Sequence, residues 1–118
     1  MQQQQLFQMI ADTYQIKPNY PWQKYPSFAV FRHLDNEKWF CLYMEVSADK
    51  LGLQGQDIIA IINVKANPVL IGSLTQIDGI LPAYHMNKEH WLSVILSKVD
   101  DKQIMALIDD SFYLTNNK

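Results

Sequence analysis

The densest run of hydrogen-bonding and aromatic side chains lies between Leu81 and Trp91, where Pro82, Tyr84, His85, Asn87, Lys88, Glu89, His90 and Trp91 follow almost without a gap. Such a set could ligate a metal, move protons or attack a substrate, or recognise an anion. Ligation needs three or four converging donors with further groups holding them in place. His33, His85 and His90 are the only histidines. On a continuous strand His85 and His90 would stand on opposite faces, and only a break at Asn87-Lys88 would bring them together. No metal is expected. The histidines read as structural groups bonded to backbone at a strand junction. In that reading the segment is a corner, with His90 or Asn87 bonded to backbone and Trp91 packed. A buried indole there would cost about 3–5 kcal/mol on truncation to alanine.

Nucleophilic chemistry finds less support. Cys41 is the lone cysteine and sits mid-strand between Trp39 and Tyr43, without the helix N-terminus or cationic neighbour that activates a thiolate. No serine lies in a GxSxG elbow, and the four glycines form no phosphate-cradling loop. The pairs Asp100-Asp101 and Asp109-Asp110 suit a helix start and a solvated flank. No catalytic residue and no cofactor is expected, so the chain reads as non-enzymatic. Anion contact is better served, by Asn87 and Lys88 in a predicted turn, Lys65 at a strand end, and Arg32 and Lys38 flanking a hairpin. Arginine in particular suits planar phosphate recognition. The plain alternative is that these are solvated surface charges.

The elements that must position these groups follow from periodicity. Leu6, Phe7, Ile10, Ala11 and Tyr14 form one stripe of a helix over 3–14, which Pro18 and Pro21 stop. An aromatic-rich connection over 16–27 follows. Phe28–Leu34 and Lys38–Val46 read as a hairpin turning at Asp35-Asn36-Glu37, and 47–56 as a loop. Ile58–Val64 is a β-branched third strand. Pro68 opens a short helix to about Gln76, Asp78-Gly79 marks a turn, and strands near 81–86 and 90–97 come next. Asp100 with Gln103 resembles a capping box for a last helix that buries Ile104, Leu107, Ile108 and Phe112. The order is helix, three strands, helix, two strands, helix: one domain over 1–118, of the two-layer α+β class, an antiparallel sheet with its helices on one face.

Alternation assigns the strand faces. Phe40, Leu42, Met44 and Val46 fall on one side of the second strand, and Trp39, Cys41, Tyr43 and Glu45 on the other. Ile59 and Ile61 oppose Ile58, Ile62 and Val64, while Trp91, Ser93 and Ile95 oppose Leu92, Val94 and Leu96. The face away from the helices would then carry Trp39, Tyr43, Ile59, Ile61 and Trp91. That is either an apolar patch for a protein partner or a second copy, or a curled surface covered by loops.

Composition sets the remaining bounds. The chain has 118 residues, 48% of them hydrophobic and 19% charged, as in an ordinary globular domain. One cysteine allows no internal disulfide. The start, Gln2-Gln3-Gln4-Gln5, lacks the basic and apolar regions of a signal peptide, and no apolar run is long enough to span a bilayer. The chain reads as cytoplasmic, with no membrane partner. The net charge of −2 lies entirely in residues 100–118, since the preceding acids and bases balance. A dedicated duplex binder carries a basic patch, so strong non-specific DNA binding is not expected.

The segment Pro82-Ala83-Tyr84-His85-Met86-Asn87-Lys88-Glu89-His90-Trp91 matches the PxYHMNKxHW signature of the MmcQ/YjbR-like family. So, in order, do Tyr20-Pro21-Trp22, Ala29-Val30-Phe31-Arg32-His33, Lys38-Trp39-Phe40, Leu51-Gly52-Leu53, Asn63-Val64-Lys65 with Pro68, and Ser111-Phe112-Tyr113-Leu114. The chain thus resembles that family over nearly its whole length. The resemblance implies an α+β fold similar to frataxin-like and secretion-chaperone-like folds. It also implies a weak DNA-binding role through two hairpins presented as a double wing. The tips here would be Asp35-Asn36-Glu37 and the Tyr84–His90 segment, with Arg32, Lys38, Lys65, Asn87 and Lys88 as contacts. Two acids on the first tip oppose that role.

Overall fold

The computed structural model describes residues 1–116. Its elements are α1 (Gln3–Tyr14), β1 (Ala29–Arg32), β2 (Trp39–Ser47), a 3-10 turn (Ala48–Leu51), β3 (Ile58–Lys65), α2 (Pro68–Leu74), β4 (Ile80–Pro82), β5 (Trp91–Ile95) and α3 (Asp101–Thr115). The strands form one antiparallel sheet in the order β1-β2-β3-β5-β4. This is the α+β arrangement expected from the pattern. Proline is tolerated in β4 because that strand is an edge. Gly79 is required at its entry: φ is +93°, and a Cβ would lie 2.8 Å from both Lys98 Cβ and Val99 Cγ2.

All three helices pack on one face. Leu6 and Ile10 of α1, and Ile104, Leu107 and Ile108 of α3, are buried against Ala29, Phe31, Tyr43, Ile62, Val64, Leu92 and Val94. Helix α2 contributes only the half-buried Ile71 and Leu74. The capping box expected at Asp100 does not form, because the Asp100 side chain makes no capping bond. Instead the N-terminal ammonium lies 3.3 Å from Asp101 and donates to the Leu96 carbonyl at 3.1 Å.

Strict alternation fails in β2. Pairing with β1 shifts between Phe31 and Arg32, which face Cys41 and Trp39 and leave Phe40 as the extra residue of a bulge. Phe40, Cys41 and Tyr43 therefore all belong to the helix-side core, whereas Trp39, Leu42, Met44 and Val46 face away. The bulge is stabilised from α3. Ser111 Oγ donates to the Phe40 carbonyl (2.6 Å) and accepts the Lys65 N–H (2.9 Å), satisfying two backbone groups next to the ladder. Beside it, buried His33 Nε2 meets Thr115 Oγ1 at 2.8 Å, and Thr115 Oγ1 donates to the Ser111 carbonyl at 2.7 Å.

The β4–β5 region also departs from expectation, because β4 stops at Pro82 instead of running to 86. The backbone of Tyr84 is captured by side chains of neighbouring strands. Its N–H donates to Ser93 Oγ (2.8 Å), and its carbonyl accepts from Asn63 Nδ2 (2.9 Å). Ser93 Oγ in turn donates to Asn63 Oδ1 at 2.6 Å. Asn63 and Ser93 are cross-strand partners, both fully buried. This small network draws residues 83–90 off the strand path and onto the sheet face that the helices leave free.

Candidate functional site

That free face is not bare. A second apolar cluster forms there from Val30, Leu42, Met44, Val46, Ile61 and Ile95, with Trp22, Phe28, Trp39, Ile59, Leu81, Tyr84 and Met86 packed around it. Three connections rise above the sheet: the aromatic segment before β1, the turn after β2, and the Tyr84–Met86 segment. Between them lies a groove of about 500 Å³. Leu42, Met44 and Val46 line it together with Trp22, Tyr25, Phe28, Trp39, Tyr84 and Met86. The aromatic wall is ordered by its own contacts. Trp22 meets Trp39 edge-on at 5.8 Å and Phe28 edge-on at 6.2 Å, and Tyr25 stacks on Phe28 at 4.8 Å.

Polar groups border this apolar lining. Ser47, Lys50 and His85 line the groove, as does Glu45. The Glu45 carboxylate accepts from the Tyr43 hydroxyl at 2.8 Å. Because the Tyr43 ring sits on the helix side against Phe7, this bond draws Glu45 toward that side. His85 has a left-handed backbone, φ 57°, uncommon outside glycine, and its ring lies 4.0 Å from that of Tyr84. Asn87 shapes the rest of the corner: its Oδ1 accepts the Glu89 N–H (2.7 Å) and its carbonyl accepts the Trp91 N–H (2.9 Å).

The apolar face read from the sequence is therefore corrected. Tyr43 lies on the helix side because of the bulge and is 2% exposed, and Ile61 is fully buried beneath the covering segments. Trp39 and Ile59 do belong to the free face and are half-buried. Trp91 is half-buried at the start of β5. No flat patch spans all five. Trp22, Tyr25, Phe28, Leu42, Met44, Lys50 and Met86 complete the groove, and sequence reading did not select them. The available signal was the connection before β1, which is far richer in aromatics than a solvated loop.

Of the five residues considered for nucleic acid, Arg32, Lys38 and Lys65 gather at one end of the sheet. Lys88 instead borders a depression with Lys50 and Leu51, which follow the other end of β2. Arg32 ends β1, Lys38 precedes β2, Lys65 ends β3, and Asn87 and Lys88 precede β5. Arg32, Lys38 and Lys65 share that end with the acids of the first tip and with the C-terminus of α3, placed there by the Asn36–Thr115 hydrogen bond. The residues that follow α1 are there too, lining one depression with Arg32 and Glu37. Helix C-termini carry partial negative charge. Arg32 is further engaged, its guanidinium 5.8 Å from the Trp39 ring centroid. Of the histidines, His33 packs against α3 and Phe112, while His85 and His90 belong to the corner. Among the described residues no three His, Cys, Asp or Glu side chains gather as a metal site, and no helix is long and apolar enough to cross a membrane. Burial pushes the Cys41 thiol pKa well up.

Comparison with known proteins places these features in a wider set. The YjbR family model matches residues 11–114. The uncharacterized protein YyaQ of Bacillus subtilis is 44% identical over 111 residues, covering 93% of this chain and 94% of YyaQ. A Pseudomonas syringae protein solved by crystallography is 47% identical, with a TM-score of 0.96 over 98% of this chain and 100% of that one. The crystal structure of Deinococcus radiodurans DR2400, a DUF419 domain, has a TM-score of 0.74 at 22% identity, covering 100% of this chain and 81% of that one. That last likeness is one of fold alone.

Proposed function

We propose, for a chain that belongs to the YjbR family, a non-enzymatic binding domain whose ligand seat is the groove on the helix-free face of the sheet. The observation that carries this reading is the groove itself: about 500 Å³, floored by Leu42, Met44 and Val46 and walled by Trp22, Phe28 and Trp39. Concave, largely apolar clefts of roughly 300–1,000 Å³ with a few polar groups are the usual form of a ligand site. Covering segments on three sides oppose a broad protein interface here. A protein partner, or a second copy of the chain, would have to enter with one apolar side chain. A fragment screen followed by amide NMR tests the reading. Hits are expected to shift Met44, Val46, His85 and Met86. Hits confined to other surfaces, or none at millimolar concentration, would overturn it.

A second reading, weak DNA binding through the hairpin tips with Arg32, Lys38, Lys65, Asn87 and Lys88 as contacts, is supported by the gathering of Arg32, Lys38 and Lys65 at one end of the sheet. About four phosphate contacts would give a log–log salt slope near −3.6 on duplex DNA, so binding should be almost gone at physiological salt. The Asp35 and Glu37 side chains and the α3 C-terminus at that end weigh against it. A duplex titration that finds no binding even at low salt would retire it.

A further inference from the structure

Resting on the groove reading, we infer that the groove takes a small organic carboxylate with a flat, mostly apolar body. The inference comes from how charge is distributed around the groove mouth. Lys50, Tyr84 and His85 line both the groove and an adjoining depression of about 330 Å³. That depression is completed by Lys88 with Leu51, Leu81, Pro82 and Ala83, and no acidic residue lines it. The acid that does border the groove, Glu45, is held by the Tyr43 hydroxyl. Among the described residues no carboxylate lies in ion-pair contact with Lys50 or Lys88. Lys50 and His85 thus border one edge of a largely apolar cleft, with Lys88 in the adjoining depression and Glu45 the one acid in the lining.

The body of the ligand follows from the wall. Five aromatic side chains (Trp22, Tyr25, Phe28, Trp39 and Tyr84) and two thioethers, Met44 and Met86, line the cleft, and both favour contact with an aromatic ring over a branched aliphatic one. A cationic ligand is disfavoured, because the Arg32 guanidinium already lies over Trp39 and Lys50 borders the mouth. A phosphate ester would want more donors than these side chains offer, and the lining includes no glycine-rich turn or long helix N-terminus. One carboxylate, met by Lys50 with His85 and Lys88 nearby, matches the mouth.

The test uses the full chain with 2-naphthoate and its neutral isostere 2-naphthamide, titrated by calorimetry and followed by amide NMR. The acid is expected to bind at least about tenfold tighter than the amide, with shifts at Met44, Lys50 and His85. The double variant Lys50→Gln/Lys88→Gln, altered only at exposed positions, should bring the two ligands to within about twofold of each other. Equal binding of acid and amide, both shifting groove residues, would overturn the carboxylate inference and leave the groove reading standing. So would a preference for the acid that the double variant leaves intact. Absence of any groove shift with either compound would overturn both.

Discussion

The two faces of this sheet are built from the same strands and finished in different ways. On one, α1 and α3 press rows of Leu and Ile onto Phe31, Tyr43, Ile62 and Val94, and the core is filled. On the other, irregular segments bury Ile61 but leave a groove of about 500 Å³ over Leu42, Met44 and Val46. A helix offers a regular apolar stripe that interdigitates with a sheet. A loop must be held by particular hydrogen bonds, here those of Asn63 and Ser93 to the Tyr84 backbone. Stability and binding capacity are thus divided between opposite sides of five strands.

The largest effect should come from emptying the filled side. Ile104→Ala, at a fully buried position of α3, is expected to cost about 3–4 kcal/mol in urea unfolding. Met44→Ala on the groove floor should cost no more than about 2 kcal/mol, because open space already borders that side chain. Equal losses at the two sites would break the contrast between the faces.

Removing the polar staple comes next. Asn63→Ala leaves the Tyr84 carbonyl without its donor and Ser93 without its acceptor, at about 2 kcal/mol. Hydrogen exchange should accelerate across 84–91 and stay slow in α3. If α3 accelerates equally, the covering segment is not an independent layer. Trp91→Ala should cost about 1–2 kcal/mol, below the figure for a buried indole, since this one is half-buried. A melting temperature lowered as far as for Ile104→Ala would mean that the corner belongs to the main core.

The smallest effect is one of pH, confined to the filled side. Burial holds the His33 pKa below its ordinary 6.5, and the nearby Asp35 only partly offsets this. Above that value His33 is neutral in both folded and unfolded chains. As pH falls below 6.5 the unfolded chain takes up the proton first, so stability declines until the folded value is passed. His33→Gln should flatten this part of the stability profile relative to the parent protein. Parallel profiles for the two proteins would show that His33 does not set it.

How much of this was legible depends on the range of the forces involved. Periodicity and turn residues marked α1 to the residue, the apolar stripe of α3 and the succession of helices and strands along the chain. Those features follow from local side-chain spacing and hold wherever the chain folds. The signature around His85 and Trp91 likewise pointed to the family without any coordinates. The facing of β2 was not legible, because alternation breaks at Phe40. That bulge is sustained by Ser111, a hydroxyl 71 residues further along the chain. Nor was the capture of Tyr84 by Asn63, 21 residues away, which ends β4 early and forms one wall of the groove. A buried backbone group must find a partner, and when that partner comes from another element, only the tertiary structure decides which way a strand turns its side chains.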